Sequence, residues 1–117
     1  LLRRILEPIS NSGVELAEIH SMGGGARSDL WLQIKADLCN RRIVTMQDEE
    51  TSTLGAAVMA SVQVGDYGTL DQAIASMVKT SRRYEPNQTN GPVYDRTFRL
   101  YGELYDALEA VFSRFSQ

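Results

Sequence analysis

Gly23-Gly24-Gly25-Ala26-Arg27-Ser28 follows a short apolar alternation, Val14 to Ser21, and opens an amphipathic run through Leu30, Trp31, Ile34 and Leu38. Strand, glycine turn and helix in that order let a backbone approach a phosphate or nucleotide closely. Glycines remove the Cβ atoms that would stand in the way, and a helix N-terminus offers N–H groups and the positive end of its dipole. The stretch therefore reads as a nucleotide-contacting segment.

Working outward, Leu1, Leu2, Ile5, Leu6 and Ile9 recur at helical spacing, and Asn11-Ser12-Gly13 breaks that helix. Val14, Leu16 and Ile19 mark a strand. Ser28 or Asp29 caps the next helix, which runs to about Cys39 with Asn40 as its stop. Ile43, Val44 and Met46 form a second strand, parallel to the first across a right-handed crossover. An acidic turn, Gln47 to Glu50, leads to Thr51-Ser52, either of which caps a helix from Thr53 to Val64. Gly65-Asp66-Tyr67-Gly68 is a turn, and Thr69 caps a short helix from Leu70 to Met77. Lys79 to Tyr84 is extended, and Asn87 to Gly91 forms a polar loop. A final helix from about Val93 to Phe115 carries Tyr94, Phe98, Tyr101, Leu104, Tyr105, Leu108, Val111 and Phe112 on one broad face.

With 117 residues, 43% of them hydrophobic and 23% charged, the chain has the composition of one globular domain. The net charge of −3 argues against broad phosphate-backbone binding, so no nucleic-acid partner is expected. A single cysteine, Cys39, suits a reducing, cytoplasmic compartment and reads as a small packing hydrophobe. No apolar run reaches bilayer-spanning length, so no membrane is expected. The opening LLRRILEPI and a sheet of only two strands suggest a piece of a longer polypeptide with strands upstream. The uncovered apolar edge this would leave favours self-association, for instance as a homodimer.

The ordered set resembles the C-terminal domain of the FGGY carbohydrate kinases, in particular the xylulose-kinase-like branch. The resemblance rests on Gly23 to Ser28, Trp31 with Gln33-Ile34, Ala36-Asp37, Glu50, Gly55-Ala56-Ala57, Gly65-Asp66-Tyr67, Tyr84-Glu85-Pro86, and Tyr94 with Tyr101 and Tyr105. It covers nearly the whole chain. Asn40 stands where glycine is common and Arg42 where proline is common, which bears only on the conformation of that loop.

The resemblance implies an α/β fold: a partial ribonuclease-H-like domain of the actin and hexokinase type. It would be helix-rich, with a short parallel β-α-β core and a long C-terminal helix. Residues 1–117 would be the nucleotide-side domain of a sugar kinase, and the sugar-binding and catalytic domain would lie upstream. ATP and Mg2+ are the implied cofactors, and a nucleotide and a sugar, most simply a ketopentose such as xylulose, the implied partners. Gly23, Gly24, Gly25, Ala26 and Ser28 are the implied cofactor-binding residues, with Gly24 the leading contact and the Ser28 hydroxyl near adenine. Arg27 would lie beside the purine or point to solvent, and Trp31 and Gln33 would pack or lie on the helix surface. No catalytic residue and no metal ligand is expected in this segment, which would be inactive alone.

Competing readings attach to several of these residues. The glycines could admit a packed protein segment instead of a nucleotide. A dinucleotide-binding oxidoreductase lacks support in the third motif position, which is Ser28, and in the placement of Asp48 to Glu50. A non-catalytic actin-like assembly module remains as an alternative use of the same fold. His20 reads as structural, Asp48 to Glu50 as a helix start, and the tyrosine-rich last helix as core.

Overall fold

In a computed structural model that describes residues 1–116, the chain runs α1 (Leu2–Asn11), β1 (Glu18–Ser21), α2 (Asp29–Cys39), β2 (Arg42–Met46), α3 (Thr51–Gln63), α4 (Leu70–Met77), β3 (Thr80–Tyr84) and α5 (Gly91–Phe112). Short 3-10 turns sit at Gly24–Ala26, Gln88–Asn90 and Ser113–Ser116. β1 and β2 pair in parallel, Ile19 opposite Ile43 and His20 opposite Val44. β3 adds antiparallel to the other side of β2, Ile43 opposite Tyr84, with an irregularity between Val44 and Met46. The sheet is thus mixed and three-stranded, in the order β1-β2-β3.

Two sequence expectations change here. The first strand begins at Glu18, four residues later than the alternation suggests, and Val14 is exposed. The extended Lys79–Tyr84 segment forms a third sheet strand over Thr80–Tyr84, the backbone of Val44 in β2 pairing with Arg83 on that side.

Local chemistry explains the ends of α2. Ser28 has extended backbone angles and its side-chain oxygen accepts from the Trp31 N–H, an N-cap that satisfies one helix-end donor. At the other end Asn40 takes φ 47° and ψ 46°, the left-handed conformation that commonly closes a helix. Asparagine is the side chain best suited after glycine to that region, so Asn40 preserves the turn a glycine would make. Thr69 caps α4 in the same way as Ser28, accepting from Gln72 N. α3 begins at Thr51 with Glu50 as N-cap and no side-chain cap bond, so neither Thr51 nor Ser52 acts as its cap. Replacing Ser28 by alanine is expected to cost about 1 kcal/mol. A thermal melt unchanged from wild type would contradict that role for the cap.

The core lies where α2 covers the sheet. Leu32, Ala36 and Ile43 are fully buried, with Ile19 and Tyr84 packed against them. The far side of the molecule is held differently. α1 has no buried residue and meets α5 through arginines: Arg3 lies 4.5 Å from the Phe98 ring centre and Arg4 3.9 Å from that of Tyr105. Arg3 also pairs with Asp95 at 2.6 Å. Cation–π and ion pairs, rather than apolar burial, hold this seam. The tyrosine face of α5 is accordingly not a core: Leu104 is 59% and Tyr105 40% exposed.

The segment after β3 is tied to α2 by one buried carboxylate. Asp37 accepts from the Asn87 N–H at 2.8 Å, from Asn90 Nδ2 at 2.7 Å and from Gln33 Nε2 at 2.7 Å. Burial alone would raise its pKa, but these three donors outweigh it and hold the carboxyl below its ordinary value. Gln33 also donates to the Glu85 carbonyl at 2.8 Å, so it bridges two elements and is not simply a surface residue.

Candidate functional site

β1 and β2 run in parallel, so their C-terminal ends open on the same side of the sheet, the side on which ligands bind in open α/β folds. The glycine turn leaves β1 there, and the acidic Gln47–Glu50 turn leaves β2 beside it. Between them is a cleft of about 130 Å³ whose walls include Gly23, Ala26, Thr45, Asp48, Glu49 and Arg82.

Gly23 has φ 70° and ψ −164°, a combination open essentially to glycine alone. It swings the chain from β1 into the 3-10 turn, which closes on itself through Ala26 N to Gly23 O at 2.9 Å and Arg27 N to Gly24 O at 3.3 Å. The N–H groups of Gly24 and Gly25 take no part in those internal bonds. A Cβ at Gly24 would meet no heavy atom within 4 Å, and one at Gly25 would meet only Lys35 Nζ, at 3.7 Å. Among the described residues, therefore, nothing packs on Gly24, and no neighbour in this chain explains why a side chain is missing there.

Three of the expected residues line or shape the cleft and two stand back from it. Gly23 and Ala26 are in its wall and Gly24 lies between them in the turn. Gly25 faces the Lys35 ammonium, and Ser28 commits one of its two oxygen lone pairs to the α2 cap while its O–H remains able to donate. Arg27 pairs with Glu49 at 2.5 Å, joining the two turns through an exposed ion pair. Trp31 is half exposed, with Lys35 Nζ 5.7 Å from its ring centre, and does not pack into the core as expected.

Two cations outside the glycine motif stand close to the turn, one of them Arg82, which as half of an Arg82-Arg83 pair reads from sequence as solvated surface. Lys35, one turn before the end of α2, reaches back to Ser21 Oγ at 3.2 Å, the direction in which helical side chains lean. Arg82, on β3, donates to the Ala26 carbonyl at 3.0 Å and to Asp29 Oδ1, which also accepts from Tyr84 Oη at 2.7 Å. Burial and that bond to Asp29 push the Tyr84 phenol up. The spacing of Lys35 from Ser28 on α2 carries a faint sequence signal; Arg82, more than fifty residues from Asp29, carries none.

The remaining candidates are structural. His20 is exposed and bonded to Glu18 at 2.8 Å. Cys39 is half-buried, and burial raises its thiol pKa, away from nucleophilic character. Among the described residues no cluster of His, Cys, Asp or Glu side chains is placed to hold a metal ion, and no helix is long and apolar enough to cross a membrane.

Residues 1–64 match the family description "FGGY family of carbohydrate kinases, C-terminal domain". The xylulose kinase of Staphylococcus epidermidis is 34% identical over 94 residues, covering 80% of this chain and 19% of that protein. Among solved structures, ligand-bound xylulose kinase from Lactobacillus acidophilus matches with a TM-score of 0.77 and 29% identity, over 87% of this chain and 21% of that one. Xylulose kinase from Rhodospirillum rubrum matches with a TM-score of 0.77 and 28% identity, over 96% of this chain and 23% of that one. The chain spans about one fifth of the length of the curated relatives it matches.

Proposed function

The chain belongs to the FGGY family of carbohydrate kinases, an α/β fold of the actin and hexokinase type, and from that premise we propose that it forms the adenosine-binding side of an ATP-dependent sugar kinase. The sugar hydroxyl oxygen attacks the γ-phosphorus, the bond from that phosphorus to the β,γ-bridging oxygen breaks, and ADP leaves. The hydroxyl proton passes to a base supplied by another part of the complete enzyme. A ketopentose such as xylulose is the proposed acceptor, by similarity to the xylulose kinases.

One observation carries the reading. The glycine turn at the carboxyl ends of two parallel strands has a backbone only Gly23 can adopt and an approach to Gly24 that no described residue fills. Gly23, Gly24 and Gly25 would lie along the adenosine and α-phosphate, Ala26 in the turn wall, and Ser28 would offer its O–H to the base. The described residues include no cluster of His, Cys, Asp or Glu for Mg2+; the nucleotide phosphates and the sugar-binding domain would hold it. Phosphoryl transfer rests on positioning and charge stabilisation, and this segment contributes only part of the nucleotide clamp. It is proposed to be inactive alone.

Calorimetric titration of the chain with ADP and, separately, with NADH tests the assignment. Saturable binding of ADP without binding of NADH is the expected result. Preference for NADH would transfer the glycine turn to a dinucleotide site, and binding of neither would remove the nucleotide assignment.

A further inference from the structure

Arg82 reaches from β3 to the C-terminal end of the glycine turn and to the start of the helix that follows it. Its guanidinium donates to the carbonyl of Ala26, where the turn closes, at 3.0 Å, and to the carboxylate of Asp29, where α2 begins. The strand itself is fixed on the sheet: the Arg82 N–H donates to Thr45 Oγ1 at 3.0 Å, and Tyr84, on the same face of β3, binds the same Asp29 oxygen at 2.7 Å. The turn is therefore braced against β3 as well as continued from β1.

The bracing has an electrostatic side. Asp29 favours the start of α2 through the helix dipole, yet a carboxylate at that position would repel an incoming phosphate. Arg82 offsets that charge through its ion pair with Asp29, and the residue is in the wall of the cleft. A fork of N–H donors can hold a carbonyl and a carboxylate at once, which a single ammonium cannot reproduce with the same geometry.

The geometry points to Arg82 as a positioning residue for the nucleotide: it sets the glycine turn in its ligand-receiving shape and neutralises Asp29 beside it. This rests on the nucleotide reading of the turn. Arg83 provides the control, because alternation along the strand puts its side chain on the opposite face of the sheet.

The test uses the full chain as wild type, Arg82→Ala, Arg82→Lys and Arg83→Ala, with ADP affinity by calorimetry, thermal melts, and ligand-free hydrogen exchange at the Ala26 and Arg27 amides. Arg82→Ala is expected to weaken ADP about tenfold or more and to speed exchange at both amides. Arg82→Lys should restore only part of the affinity, and Arg83→Ala should change neither reading. Wild-type affinity in a folded Arg82→Ala overturns the assignment; if that variant does not fold, wild-type affinity in Arg82→Lys does so. Failure of the wild type itself to bind ADP is a separate result, visible before any variant is made, and removes the nucleotide reading together with the role built on it.

Discussion

Replacing Asp37 by alanine is expected to destabilise the chain by about 2–4 kcal/mol, a fall in melting temperature of roughly 10 °C. The residue is only 5% exposed and is the common acceptor for Gln33, Asn87 and Asn90. Alanine would leave the Asn87 N–H and two amide groups without their acceptor in a part-buried place, and unmade bonds there cost more than made ones contribute. Asn87 and Asn90 lie within the β3–α5 connection, so its docking on α2 would loosen first. Asp37→Asn should be milder, because Oδ1 takes two of the three bonds and the Asn90 amide can rotate to offer its oxygen to the new NH2.

The same site makes stability depend on pH with a definite sign. The folded pKa of Asp37 lies below its ordinary 3.8. Its ionised form therefore contributes stability that is complete above that ordinary value and is lost as the pH falls through the folded value. Urea midpoints measured from neutral pH downward should show wild type losing its advantage over Asp37→Asn below about pH 4. An advantage that persists unchanged to pH 2 would contradict the role given to the three donors.

Substitution at Gly24 should have the opposite profile, sparing the fold and removing the ligand. The position has no positive φ and no heavy atom within 4 Å of where a Cβ would stand. Gly24→Ala and Gly24→Val should melt close to wild type, while the valine should weaken ADP by about tenfold or more, roughly 1.4 kcal/mol. Gly23 cannot make this separation, because at φ 70° any side chain strains the backbone itself. A Gly24→Val chain that binds ADP as wild type does would place the nucleotide elsewhere.

What was legible in the sequence was what neighbouring residues decide. The Ser28 cap, the left-handed Asn40 and the glycine turn between strand and helix depend on a few adjacent side chains, and the structure has them. The family resemblance followed from their order and is borne out by the match over residues 1–64. Long-range partners were not legible. Nothing in Thr80–Tyr84 says that it will pair antiparallel with β2, nor that Arg82 will reach Ala26, because those contacts are set by how the helices between them fold back. Asp37 belongs to the family-like motif, but two of its three donors lie about fifty residues away. The α5 face misled because helical periodicity reports an apolar stripe without saying whether anything in the same chain covers it.

Mapping amide shifts of the labelled chain during an ADP titration tests the central claim most directly. Saturable shifts concentrated at Gly23 to Ser28, with the Arg82 side chain responding in step, are the predicted result. Saturable shifts confined to other parts of the chain, with Gly23 to Ser28 unmoved, would contradict it.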